Sequence, residues 1–243
     1  MNTEQHSITI SGLQVEIVRK NIKNLHLGVY PPRGRVRVAA PLRVSNDAVR
    51  LAVIGKLGWI KRQQMKFERQ PRESSREMVS GESHYFLGHR YRLRVIPDAV
   101  NKQWVNVRNK AMIELHVHSG ADVEARNRVL ARWYRVQLRE LLGPLMEKWQ
   151  KRLGVQVTIF GIKRMKTKWG TCNAEAHRVW INLELAKKSS DCLEYVVVHE
   201  LAHLLVRHHD DTFIALMDKH MPRWRSIREE LNGSLLAHEI WRE

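Results

Sequence analysis

The sequence predicts an α+β protein, with an antiparallel, β-rich N-terminal region followed by a helical region that carries a small sheet. Three observations support this. Apolar and polar residues alternate through much of residues 8–38 and 85–117, the period of half-buried strands. From Asp122 the period becomes helical. Strands come first and helices later, the order of an α+β chain rather than of repeated βαβ units.

The first strand signals are Ile8-Thr9-Ile10, a Ser11-Gly12 turn, and the alternation of Leu13, Val15 and Ile17. Leu25, Leu27 and Val29 follow, then Pro31-Pro32, and Arg33-Gly34 turns the chain into Arg35-Val36-Arg37-Val38. This predicts an antiparallel meander with one wet, basic face. Ser45-Asn46-Asp47 caps a helix reaching about Phe67, with Trp59 packed on the sheet. Residues 68–83 are polar and form a linker. Further strands are expected around Tyr85–Leu87, Tyr91–Val95, Trp104–Val107 and Ile113–Val117.

A long helix is expected from Asp122 to about Arg152, striped by Leu130, Trp133, Leu138, Leu141, Leu145 and Trp149. Gly143-Pro144 should kink or break it. Short strands around 155–160 and 177–183, a helix from Cys192 to about Arg207, and a closing helix near 213–231 complete the chain. The expected division is a β-rich region over 1–120 and a second domain over 121–243. No internal repeat or low-complexity tract is visible.

Composition narrows the function classes. A 43% hydrophobic content over 243 residues is that of a globular protein. No apolar run spans a membrane, and the polar N-terminus does not read as a secretion signal. Two cysteines, Cys172 and Cys192, make no disulfide framework, so a reduced cytoplasmic setting is the simplest expectation. The net charge is +17, and residues 1–76 hold 15 Lys/Arg against 5 Asp/Glu, a balance of +10. Such an excess suits nucleic acid or an acidic partner as readily as a solvated basic surface.

His199-Glu200-Leu201-Ala202-His203 is the most informative segment. On a helix, residues four apart share a face, so His199 and His203 can point at one metal ion with Glu200 beside them. Asp191 and Glu194 have the spacing of a capping box for this helix. A catalytic zinc takes three protein ligands. The candidates for the third are His208 and His209, and neither follows the ligand face of a continuing helix. A left-handed turn at His208 would present His209 and give the pattern HExxHxxxxxH. Asp210 and Asp211 are candidates to orient a ligating imidazole.

Three further segments accompany the motif: Met165–Cys172, Ile181-Asn182-Leu183 and Tyr195–His203. With His209, Phe213, Pro222-Arg223-Trp224 and, upstream, Gly81-Glu82 and Tyr85–Gly88, the chain resembles the YgjP-like metallopeptidases, zincin-type relatives of the SprT and WLM zinc peptidases. The resemblance implies a zincin-like catalytic domain over 121–243, Zn²⁺ held by His199, His203 and His209, and Glu200 as general base to a metal-activated water. It implies that Trp169, Thr171, Trp180 and Asn182 lie where substrate binds. A strand over about Arg178–Leu183 would then pair with an extended peptide. Thr171 stands where the family usually has Ser, and His208 where Asn is frequent. Lys166, Arg164 and His208 are candidates to stabilise the oxyanion.

The leading expectation is a zinc peptidase acting on protein or peptide substrates, with nucleic acid met through the basic N-terminal region around Arg33, Arg35 and Arg37. Two rival readings remain. A metal-dependent endoribonuclease would use three histidines at the same spacing, but Glu200 favours peptide chemistry. A non-enzymatic nucleic-acid-binding protein would hold a structural metal and needs a fourth ligand, for which Cys172 is the candidate.

Overall fold

A computed structural model describes residues 5–30, 34–69, 76–98, 103–165 and 168–233. It is α+β, with six helices and eleven strands in three sheets among those residues. The chain divides into two compact units, residues 1–72 and 73–243, so the strands before residue 120 are shared between them.

The first unit opens with β1 (Gln5–Ile10) and β2 (Leu13–Lys20), a hairpin closed by Ser11 and Gly12, both at positive φ. β3 (His26–Tyr30) and β4 (Arg35–Pro41) complete a sheet in the order β1-β2-β4-β3. The sheet is not the expected meander, because β2 and β4 are parallel neighbours and β3 is an edge. Burial explains the order. Val15, Ile17, Val36 and Val38 are fully buried and take the centre, whereas β3 is only half-buried. The single expected helix is two, α1 (Asn46–Ile54) and α2 (Leu57–Arg69), parted at Gly55, a poor helix former. Ser45 caps α1 by accepting from the Ala48 N–H at 3.1 Å. Val49, Val53 and Ile60 fill the core, with Trp59 against it. Arg35 and Arg37 both pair with Glu16, at 3.5 and 3.4 Å. Arg33 lies outside the described residues.

The second unit begins with β5 (Ser83–Phe86), β6 (His89–Asp98), β7 (Trp104–Arg108) and β8 (Met112–His118). Their order, β5-β6-β8-β7, repeats the first sheet strand for strand: an antiparallel hairpin, a parallel central pair and an antiparallel edge. The hairpin turns match as well, since Leu87 and Gly88 take the positive φ that Ser11 and Gly12 take. This topological repeat leaves no trace in residue identities.

α3 (Val123–Leu153) is capped by Asp122 and ends at Gly154, which adopts the left-handed conformation. Pro144 lies inside α3, which continues past it unbroken. Its buried stripe includes Leu130, Leu138, Leu142, Met146 and Trp149, while Trp133, Leu141 and Leu145 lie at the flank, partly buried. β9 (Ile159–Lys163), β10 (Gly170–Asn173) and β11 (Arg178–Asn182) form a third sheet in the order β10-β11-β9. α4 (Ser190–Ala202), α5 (Asp211–His220) and α6 (Trp224–Gly233) close the unit. No described helix is long and apolar enough to cross a membrane.

α4 is bound to α3 by one carboxylate. Glu194 Oε1 accepts from Lys148 Nζ at 2.6 Å and from the buried Trp149 indole at 2.7 Å. Burial pushes the Glu194 carboxyl up, but these two donors outweigh it and hold it below the usual carboxylate range. Glu194→Ala should therefore cost about 1–3 kcal/mol of stability by leaving the Trp149 N–H unsatisfied. An unchanged midpoint in a denaturant melt would show that this tie does not hold the two helices.

Candidate metal centre

α4 is buried on nearly every side. Cys192, Leu193, Tyr195 to Val198 and Glu200 to Ala202 are all buried. Its cap is Ser189, whose Oγ accepts from the Cys192 N–H at 3.3 Å and donates to Glu230 on α6 at 2.9 Å. The cap thus falls two residues before the expected Asp191, because Glu194 turns to α3 and cannot close a box.

The helix ends at Ala202 rather than near Arg207. The Leu204, Leu205 and Val206 N–H groups donate back to Leu201 and Ala202 in tight turns. His208 is not among the described residues with positive φ, so the return does not use the expected left-handed residue. It is exposed and stands outside the histidine cluster. Asp210 is the N-cap of α5, accepting from the Phe213 N–H at 3.1 Å. That cap, rather than a contact to an imidazole, fixes where α5 begins and where His209 enters.

His199, His203 and His209 converge, with their ligand atoms all within 4.8 Å of one another. The Nε2 atoms of His199 and His209 are 3.0 Å apart, close to the roughly 3.3 Å between two nitrogens on one tetrahedral zinc. His203 Nδ1 is 3.1 Å from the Val206 carbonyl. Donation there puts the proton on Nδ1 and leaves Nε2 free as a ligand. A backbone carbonyl thus does what Asp210 or Asp211 was expected to do. His199 Nδ1 is buried without a hydrogen-bond partner among the described residues. The His199 imidazole is held neutral, its pKa lowered to about 3 by burial and then by His203, His209 and Arg228. His209 is lowered too, first by burial and then by His203. Three imidazoles with converging ring nitrogens fit a divalent ion of borderline softness.

Phe213 forms the floor. Its fully buried ring lies 5.1, 4.9 and 4.8 Å from His199, His203 and His209. It fixes all three ring planes, a role that sequence reasoning did not give it.

Glu200 sits beside the cluster and is 6% exposed. Burial raises its carboxyl to about 7, against the opposing pull of Lys168 and a hydrogen bond from the Cys172 backbone. Its carboxylate lies against β10 so closely that a Cβ on Gly170 would come within 2.6 Å of Glu200 Cγ and 2.7 Å of Oε1. The Cys172 thiol is pushed up to about 11, by burial first and then by Glu200. It does not belong to the metal cluster.

The cluster opens into a cavity of about 820 Å³. One wall is Lys168 to Glu175, another the exposed side of α4 with Tyr195, and a third is Arg228, Leu231 and Asn232 of α6. Trp169 and Thr171 line it. Trp180 does not; its ring covers Gly161, with Lys163 Nζ 3.5 Å from the centroid. Asn182 is fully buried and structural. Its amide donates to the Met165 and Lys168 carbonyls at 2.9 and 2.8 Å and so fixes the segment leading into β10. β11 cannot take a substrate strand, since β9 and β10 occupy both its edges, whereas β10 is an edge. Of the oxyanion candidates, Arg164 and His208 stand outside the cavity wall, and Lys166 lies outside the described residues. Sequence reasoning missed Arg207 and Arg228, which no local pattern marks.

A buried helix carrying two histidines and a carboxylate, completed by a third histidine after a tight turn, defines a metal-dependent hydrolase. Residues 24–234 match the family of YgjP-like metallopeptidase domains, and the chain belongs to that family. It is thereby a metal-dependent peptidase. Among solved structures it is similar to the metallopeptidase zymogen abylysin of Pyrococcus abyssi, at 20% identity over 40% of this chain and 97% of that one, with a TM-score of 0.36. It is also similar to the zymogen jannalysin of Methanocaldococcus jannaschii, at 18% identity over 36% and 90% of the two chains, with a TM-score of 0.33. No curated protein matches the chain.

Gly170→Ala should displace the Glu200 carboxylate and lower peptide hydrolysis about a hundredfold, the cost of an ångström-scale misplacement. Bound metal per chain should stay as in the wild type. Full activity in the variant would mean that the contact between β10 and Glu200 does not matter to hydrolysis.

Proposed function

We propose that this protein is a zinc peptidase in which His199, His203 and His209 hold the ion and Glu200 is the general base. The observation that carries this reading is the meeting of three imidazoles, their ligand atoms within 4.8 Å of one another, beside a buried carboxylate whose pKa is raised to about 7. When bound, zinc supplies Lewis-acid polarisation of the scissile carbonyl and a water acidified to near pH 7. Glu200 takes a proton at its carboxylate and returns it to the leaving amine, work suited to a group with a proton affinity near the working pH. Phe213 and the apolar body of α4 exclude bulk water from beneath the imidazoles. β10 aligns an extended peptide along its free edge, reading backbone more than side chains. Trp169 and Thr171 flank that peptide.

The rival readings draw less support. A structural zinc needs a fourth protein ligand, and Cys172 stands apart from the cluster with a thiol that holds its proton. A nuclease has no evident use for a buried carboxylate next to the first histidine. The free thiols of Cys172 and Cys192 suit a reducing cytoplasm.

The decisive experiment pairs elemental mass spectrometry with a peptide-cleavage assay. Wild type should carry one zinc per chain, and His209→Ala less. Glu200→Gln should keep the metal while hydrolysis falls by about 10²–10⁴-fold. Unchanged hydrolysis in Glu200→Gln would remove the general-base role.

We further propose that substrates are met on nucleic acid through the basic surface of the first unit. Neutralising Arg33, Arg35 and Arg37 together should then abolish DNA binding. A wild-type protein with no measurable DNA affinity at moderate salt would dispose of this extension.

A further inference from the structure

Three cations enter the cavity from three separate elements. Lys168 comes from the segment before β10, Arg207 from the turn after α4, and Arg228 from α6. Among the described residues, no carboxylate lies within ion-pair distance of any of them. Elsewhere in the chain such pairs are common: Arg108 with Glu114 at 2.9 Å, Lys148 with Glu194 at 2.6 Å and Arg37 with Glu16 at 3.4 Å. The wall itself holds two carboxylates, Glu175 and Glu200. Glu200 lies buried at the base, turned to Gly170, and of the three cations it feels Lys168 alone.

We propose that the cavity selects acidic peptide segments, with Arg228, Arg207 and Lys168 receiving carboxylates on either side of the histidine cluster. This rests on the peptidase reading and adds the substrate class to it. A cleft lined by one sign of charge between low-dielectric walls focuses its field and raises the local concentration of the opposite charge. A bound divalent ion would add to that field. Arg228 Cζ lies 5.9 Å from the Trp224 ring centroid, a cation–π distance that restrains the guanidinium where the residue lines the cavity. The peptide is favoured over a phosphate backbone by the geometry of β10. An extended chain beside that strand places alternate side chains on one side, toward the cations. A single-stranded nucleic acid would instead need open aromatic faces for its bases, and Tyr195 in this wall is stacked on Trp224, 6.5 Å between centroids and 7° between planes.

The test uses the zinc-loaded full chain and one host peptide carrying Glu, Gln or Lys at alternate positions. Wild type should cleave the Glu peptide with a kcat/KM about tenfold above the Gln peptide, the sum of a few modest charge contacts, and the Lys peptide least. Arg228→Gln and Arg207→Gln should each shrink that ratio, and Arg228→Glu should turn the preference toward Lys. Raising the salt should shrink it as well. Binding to zinc-loaded Glu200→Gln, read by fluorescence anisotropy, should follow the same order. Equal binding of the three peptides would overturn the proposal. So would an oligonucleotide of equal charge that displaces the Glu peptide and loses affinity in the same arginine variants. Selective binding with no cleavage of any peptide would remove the peptidase reading while leaving the acidic selectivity in place.

Discussion

Everything at the metal centre depends on the burial of α4. A helix exposed on one side can rotate or fray at its end. This one is packed on nearly every face and fastened near its start, through Ser189 to α6 and through Glu194 to α3. Its last turn therefore delivers His199 and Glu200 to fixed positions. The two remaining ligands inherit that precision. His203 caps the helix and is oriented by the Val206 carbonyl, and His209 enters just before the cap of α5. Phe213, on the first turn of α5, touches all three rings. One apolar side chain thus couples the placement of α5 to the geometry of the ligands.

The same burial sets the chemistry of Glu200. A carboxylate on an apolar helix loses its hydration, and its proton affinity rises until it stands near 7. A lysine farther off and one backbone N–H offset only part of that rise. The missing side chain at Gly170 lets the β10 backbone come close enough to supply that N–H, through Cys172, and to confine the carboxyl group. The strand proposed to align a substrate is thus the strand that confines the Glu200 carboxyl group.

Much of this was legible in the sequence, and the reasons differ by residue. His199, Glu200 and His203 follow from helical spacing alone, since four residues return to the same face. His209 was reachable because the chain must return after the helix, but the way it returns was not. His208 looked like the turn residue, whereas short backbone hydrogen bonds at residues 204–206 make the turn. The cap was misplaced from Ser189 to Asp191 because Glu194 has the spacing of a capping box, and only a partner 45 residues away shows that it is engaged elsewhere. Trp180 and Asn182 lie on β11, next to the strand that lines the cavity; β10 is four residues long and carries no alternation of its own. The matching order of the two N-terminal sheets was invisible for a related reason. Topology is set by which strands are buried on both faces, and many unrelated sequences meet that condition.

The charge of the chain, a single figure in the composition, resolves into two arrangements with different physical meaning. In the first unit Arg35 and Arg37 flank Glu16, so part of the +10 is spent on holding one sheet surface together. Around the cavity Lys168, Arg207 and Arg228 make no ion pair among the described residues, beside the His199 and His209 imidazoles, whose proton affinity burial and neighbouring cationic groups lower. Cations lining one cavity repel, and a fold gains no stability from such repulsion. Their position is explained if what completes them comes from outside: a divalent ion needs the histidines, and an anionic ligand needs the cations. The two demands meet in one cavity, at a helix that the rest of the unit holds still.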